Sequence, residues 1–144
     1  MATRNATAEW RGDLQGGTGT MSVASGLFEE GQYSFKTRFE EEPGTNPEEL
    51  IGAAHAGCFS MALSNILAEA GHTAESVRTT AKVHLRQVDG NPTISQIDLV
   101  TEGRVPGIDN DQFVEYANQA KAGCPVSRAL GSVGEITLDA KLAG

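Results

Sequence analysis

One stretch, Thr45 to Gly71, constrains the fold of this chain more than any other, because it carries a helix start, a helix stop and an almost charge-free middle. Asn46 suits an N-cap, Pro47 the first helical position where its missing N–H is harmless, and Glu49 completes a capping-box pattern. Gly71 supplies the left-handed stop. Between them Gly52, Ala53, Ala54, Ala56 and Gly57 lead to Cys58 with hardly a charge on any side, which predicts a helix buried all round. Each interior glycine costs about 1 kcal/mol of helix propensity relative to alanine. Gly52 and Gly57 therefore predict close approach by another backbone or a ligand, with Cys58 beside it. His55, Asn65 and Glu69 interrupt the apolar run, so the helix is read as a core element and not as a membrane span.

A chain of 144 residues is the size of one ordinary domain, and we expect a single domain over residues 1–144. No charged-then-apolar leader opens it, so the expected compartment is the cytoplasm. The formal net charge of −8, without a Lys/Arg cluster, argues against nucleic acid and anionic membrane surfaces as partners. Two cysteines in such a chain suggest redox chemistry or core packing rather than a permanent staple.

Before the central helix, Ala6–Arg11, Thr18–Ser25 and Gln32–Phe39 read as three strands of a meander punctuated by glycines. In the third, Tyr33, Phe35, Thr37 and Phe39 alternate with Ser34, Lys36 and Arg38, which puts Arg38 on the polar face; a solvated strand residue is the plain reading of it. After Gly71, Ser76–Val88 alternates as a half-buried strand with a basic outer face. Asp89-Gly90-Asn91-Pro92 turns it into an acidic-faced strand over Thr93–Glu102, a plausible hairpin partner. Asp109 and Gln112 open a second helix that ends at Gly123. Pro125 leaves Cys124 at the N-cap of a further short helix, and Glu135–Leu142 forms a last strand. The order βββ-α-ββ-αα-β predicts an α+β fold with an antiparallel sheet covering the central helix.

Cys58 and Cys124 lie far apart in sequence, so there is no local CxxC pattern, and His55, His72 and His84 show no ligand pairing; metal binding is disfavoured. A buried helical thiol has its pKa raised unless a cation stands near, and Arg38, Arg128 and the helix dipoles are the candidates for Cys58. Taken singly, either cysteine is better read as a buried structural residue. Glu48 precedes Cys58 by about 15 Å along the helix axis and about 80° around it, so it cannot touch that thiol within its own helix. It could work with Cys58 only from a second chain, whose close packing the small residues would permit. For Glu49 the plain role, complementing the helix dipole, is preferred.

Thr37-Arg38-Phe39, the run from Gly44 to Ala56, Cys58-Phe59-Ser60-Met61-Ala62-Leu63 and Ala120-Lys121-Ala122-Gly123-Cys124-Pro125-Val126-Ser127 together closely resemble the OsmC proteins of the OsmC/Ohr group of thiol peroxidases. The likeness runs over essentially the whole chain, with Gly57 in place of an expected alanine and a longer Gly131–Gly134 segment. It implies antiparallel sheets wrapped around a long buried central helix in an intertwined homodimer. It also implies Cys58 as the peroxide-attacking thiol, Cys124 as the resolving one, Arg38 as the cation and Glu48 as its carboxylate partner. On that resemblance the expected activity is a cytoplasmic antioxidant oxidoreductase that reduces organic hydroperoxides in the stress response. No cofactor is bound, and an external dithiol, a lipoyl group on a protein, reopens the Cys58–Cys124 disulfide. An apolar lining from Phe59, Met61 and the strand aromatics would favour organic over hydrogen peroxide. Two rivals stand beside it: a non-enzymatic dimeric binding protein for a hydrophobic small molecule, and an acyl-transfer enzyme with His55 as base to Cys58.

Overall fold

The central helix forms where its signals predict it, as α2 over Pro47–Glu69. In this computed structural model, which describes residues 2–144, Asn46 Oδ1 accepts the Glu49 N–H at 2.8 Å. The Glu49 carboxylate does not return the bond and instead accepts from the Thr45 hydroxyl at 3.0 Å. At the far end Gly71 takes a φ of +88° and His72 N–H reaches back to Leu67 O at 2.8 Å, closing the C-terminus without strain.

The chain divides into two compact units, the first ending at Leu50 and the second running from Ile51 to Gly144. In the first, β1 (Ala6–Arg11), β2 (Thr18–Val23) and β3 (Gly31–Tyr33) make an antiparallel sheet in that order. Gly19 has to be glycine, because a Cβ there would lie 2.5 Å from the Tyr33 ring and 2.6 Å from Trp10.

The strand expected over Gln32–Phe39 stops at Tyr33, and Phe35–Phe39 is a short helix, α1. The aromatics do alternate, but Ser34 and Thr37 form a reciprocal capping box, with Thr37 N–H donating to Ser34 Oγ at 3.2 Å and Ser34 N–H to Thr37 Oγ1 at 2.9 Å. Phe35 and Phe39 fall one turn apart, their ring centroids separated by 5.0 Å. Local hydrogen bonding thus overrides the period-two pattern.

The second unit holds β4 (Ser76–Val88), β5 (Asn91–Arg104) and β6 (Glu135–Leu142), in that order. Asp89 and Gly90, both at positive φ, make a two-residue turn, so β5 starts at Asn91 and not after Pro92. Register pairs Arg78 with Glu102 and Lys82 with Asp98, placing the basic outer face of β4 beside the acidic one of β5 as expected. β6, however, pairs parallel to β5 from Gln96↔Glu135 to Gly103↔Leu142, which corrects the all-antiparallel sheet. The crossover through α3 (Asn110–Gly123) and α4 (Pro125–Ala129) carries the chain back to the end of the sheet where β5 began. Asp109 caps α3 with the predicted reciprocal Gln112 box.

The core of this unit joins Phe59, Leu63 and Leu67 of α2 to Ile97 and Leu99 of β5 and to Phe113, Ala117 and Ala120 of α3. Gly52 packs on β4, its Cβ position 3.4 Å from Ala81 O, and Ser60 Oγ donates to Thr79 Oγ1 at 2.8 Å. The helix is not buried all round in the single chain. Ala53, Ala54, Gly57, Met61, Ser64, Asn65 and Ala68 are exposed, and among the described residues nothing lies within 4 Å of a Cβ built on Gly57. The close approach predicted at both glycines therefore occurs within one chain only at Gly52.

Candidate active site

Cys58 lies midway along α2, half-buried. Cys124 is fully buried where α3 ends and α4 begins: its N–H bonds Ala120 O at 2.9 Å, and Pro125 opens the next helix. Both are free thiols, and their sulfurs stand 2.9 Å apart, sharing a hydrogen bond. A disulfide between them would need a two-electron oxidation and closure of the sulfurs to about 2.05 Å.

The electrostatics of the pair are asymmetric. Burial pushes the Cys58 thiol up, and the hydrogen bond with Cys124 raises it further, against a smaller lowering by the Val126 backbone N–H. Burial also raises Cys124, but hydrogen bonds from Cys58, from the Ser127 backbone and hydroxyl and from the Val126 backbone outweigh it and bring the thiol down. Within this unit the surroundings therefore disfavour a thiolate on Cys58 and favour one on Cys124. Arg128, one of the candidate cations, is exposed on α4.

Sequence reasoning missed Ser127. Its N–H donates to Cys124 Sγ at 3.4 Å, and its Oγ lies 2.7 Å from His55 Nε2 of α2, with both side chains buried. His55 is thus engaged by Ser127, which leaves the acyl-transfer rival without its base on Cys58. Burial holds its imidazole below the usual histidine pKa, so the ring is neutral. Part of the signal was present in Cys124-Pro125-Val126-Ser127, since an N-cap side chain accepts the backbone N–H of the third helical residue, here Ser127; the contact with His55 has no local signal.

Arg38 and Glu48 meet within one chain, inside the first unit. Nε and Nη2 of Arg38 donate at 3.1 and 2.9 Å to the same oxygen, Glu48 Oε1. The pair is not the two-oxygen fork that guanidinium and carboxylate shapes allow. Glu48 Oε2 is buried without a partner among the described residues. The guanidinium lies 5.3 Å from the Phe39 ring centre, so Arg38 is a helical residue packed on its own aromatic neighbour and not the outward strand residue expected. Phe59 is wholly buried in the core, which removes it from any substrate lining, whereas Met61 is 77% exposed.

A family model described as OsmC-like protein matches residues 39–139, a span that includes Glu48, Cys58 and Cys124. The chain belongs to the OsmC-like family. It is 56% identical over 135 residues to the peroxiredoxin OsmC of Escherichia coli strain K12, covering 94% of this chain and 93% of that protein. Identity to the organic hydroperoxide resistance protein OhrB of Bacillus subtilis strain 168 is 29% over 103 residues, covering 71% and 74% of the two chains. The crystal structure of the Bacillus subtilis OhrB superposes with a TM-score of 0.71 at 23% identity, over 96% of this chain and 98% of that one. An organic hydroperoxide resistance protein of Elizabethkingia anophelis gives the same score at 22% identity, over 100% and 97%. These two likenesses place this OsmC-like chain in the α+β fold of those proteins.

Proposed function

We propose that the protein is a cysteine-based peroxidase that reduces organic hydroperoxides, with Cys58 attacking the peroxide and Cys124 resolving. One observation carries this reading: two free thiols stand 2.9 Å apart, and of the two only Cys58 has solvent exposure. A peroxide can reach Cys58, while the fully buried Cys124 can reach only Cys58. The names of the relatives, a peroxiredoxin and organic hydroperoxide resistance proteins, support the reaction class. Inert packing of both thiols, as a binding protein would have it, gives no reason for that proximity.

In the first step the Cys58 thiolate displaces on the distal peroxide oxygen; the O–O bond breaks, an alcohol leaves with a proton, and Cys58 becomes a sulfenic acid. Cys124 then forms the disulfide with loss of water. An external dithiol, a lipoyl group on a protein in our reading, exchanges with the disulfide and restores both thiols.

Cys58 needs a cation that its own unit does not supply. We assign that role to Arg38, held by Glu48, and we assign its delivery to an intertwined homodimer. Because Arg38 and Glu48 pair within one chain, they serve the thiol as one group. The exposed, charge-free face of α2 from Ala53 to Ala68 supports a second copy of this chain as its cover. The compartment in this reading is the cytoplasm.

Side-by-side consumption of cumene hydroperoxide and hydrogen peroxide, with a lipoyl dithiol or glutathione as donor, tests the assignment. Turnover of cumene hydroperoxide with the lipoyl dithiol is expected to be the fastest combination. No consumption of either peroxide would overturn the reading.

A further inference from the structure

Resting on the reading of Cys58 and Cys124 as peroxide-attacking and resolving thiols, we propose that His55 and Ser127 are positioning residues for the resolving step. They form a chain of donors in which His55 Nε2 meets Ser127 Oγ at 2.7 Å and the Ser127 backbone N–H bonds Cys124 Sγ at 3.4 Å, and to this we add the Ser127 hydroxyl hydrogen turned toward the same sulfur.

The pair is built at a cost. His55 is 0% exposed and Ser127 6% exposed, and they come from α2 and α4, distant in sequence. His55 Nδ1 is also buried with no partner among the described residues. An apolar residue in its place would avoid that loss. What the imidazole supplies is one hydrogen bond, 2.7 Å from Nε2 to Ser127 Oγ.

The tautomer follows from the unpartnered nitrogen. A proton on Nδ1 would bury an N–H donor without an acceptor, whereas a proton on Nε2 leaves only a lone pair unmatched. With Nε2–H donating, Ser127 Oγ is an acceptor toward His55, and its own hydrogen is free to point at Cys124. The reverse arrangement would aim a hydroxyl lone pair at a sulfur gaining negative charge. The Ser127 backbone N–H, 3.4 Å from the same sulfur, adds a second donor from the same residue. The burial of His55 keeps its ring neutral, which suits a fixed donor and not a base.

In the resolving step Cys124 Sγ attacks the sulfur of the Cys58 sulfenic acid. The S–S bond forms, the S–O bond breaks, and the departing hydroxide takes the Cys124 thiol proton to leave as water. Cys124 is oxidised and the sulfenic sulfur reduced. His55 and Ser127 exchange no net proton; they keep donors on Cys124 Sγ as its thiol proton is given up, which stabilises the thiolate and raises its fraction before attack.

The test is a single turnover of the full chain with one equivalent of cumene hydroperoxide. Timed samples are quenched with dimedone and N-ethylmaleimide, so that sulfenic acid and disulfide are counted separately by mass spectrometry. In Ser127→Ala and His55→Leu, conversion of sulfenic acid to disulfide should slow about tenfold relative to the first step, as loss of a hydrogen bond to a charged group predicts. Excess peroxide should then drive Cys58 on to sulfinic acid. Ser127→Thr, which keeps the hydroxyl, and His55→Gln, which keeps an N–H near the Nε2 position, should restore most of the rate. Conversion at the wild-type rate in Ser127→Ala and His55→Leu would overturn the proposal, as would Thr and Gln variants as slow as those two, which would mark packing alone. If Ser127→Ala fails to fold, the His55→Leu and His55→Gln comparison decides it. Wild-type protein that forms no Cys58 adduct would overturn the peroxidase reading itself, and that result is visible before any variant is compared.

Discussion

Replacing Arg38 by alanine should cost the protein stability as well as activity, because Glu48 has no other side-chain partner among the described residues. The Glu48 side chain is 8% exposed, its Oε2 is already unpartnered, and both hydrogen bonds to Oε1 come from Arg38. Removing one member of a buried ion pair costs about 3–5 kcal/mol. Two features reduce that here. Arg38 is 37% exposed, so water can enter the vacated end, and Glu48 sits in the first turn of α2, where the helix dipole favours a carboxylate. We expect a loss of about 2 kcal/mol, of which the lost stacking on Phe39 contributes about 0.5 kcal/mol. For a chain of this size that lowers Tm by about 6 °C. Adding Glu48→Gln to Arg38→Ala removes the stranded charge and should recover about half of the loss. Thermal unfolding followed by circular dichroism on wild type, both single variants and the double variant completes the cycle. Additivity within about 0.3 kcal/mol would refute the reasoning, since the pair would then contribute nothing as a pair.

Four other outcomes are expected. Cys58→Ser should abolish turnover, while Cys124→Ser should still allow one oxidation of Cys58, both read by mass spectrometry; activity retained in Cys58→Ser with a sulfenic adduct on Cys124 would reverse the roles. In the pH dependence of Cys58 alkylation, Arg38→Ala should move the curve to higher pH and Arg38→Lys only part of the way, because an ammonium lacks the planar fork; superimposable curves would remove Arg38 as the activating cation. His55 has a lowered pKa when folded, so the unfolded chain binds its proton more readily and stability should fall as pH drops below about 6.5; denaturant titrations should show that slope flattened in His55→Gln. Light scattering should return about twice the 15.1 kDa chain mass, and a stable monomer at micromolar concentration would remove the dimer from the mechanism.

What the amino-acid sequence determined by itself is the set of features that short-range chemistry decides. Asn46 and Asp109 cap their helices and Gly71 ends one because the groups they satisfy lie within a turn of them. The β4–β5 register follows from alternation and from a two-residue turn, both legible in a few consecutive residues. The resemblance of the cysteine-bearing segments carried the family and the two thiols. Only tertiary structure decided that β6 runs parallel to β5, since strand direction depends on where the α3–α4 crossover returns the chain. The helix at Phe35–Phe39 lost to an aromatic alternation in the sequence reading, because one capping box outweighs a pattern that fits two periods equally. The resemblance already implied Glu48 for Arg38 and Cys124 for Cys58, whereas the partner of His55 came only from tertiary structure: an imidazole advertises its chemistry in sequence, but the group that completes it is chosen by how helices and sheet pack.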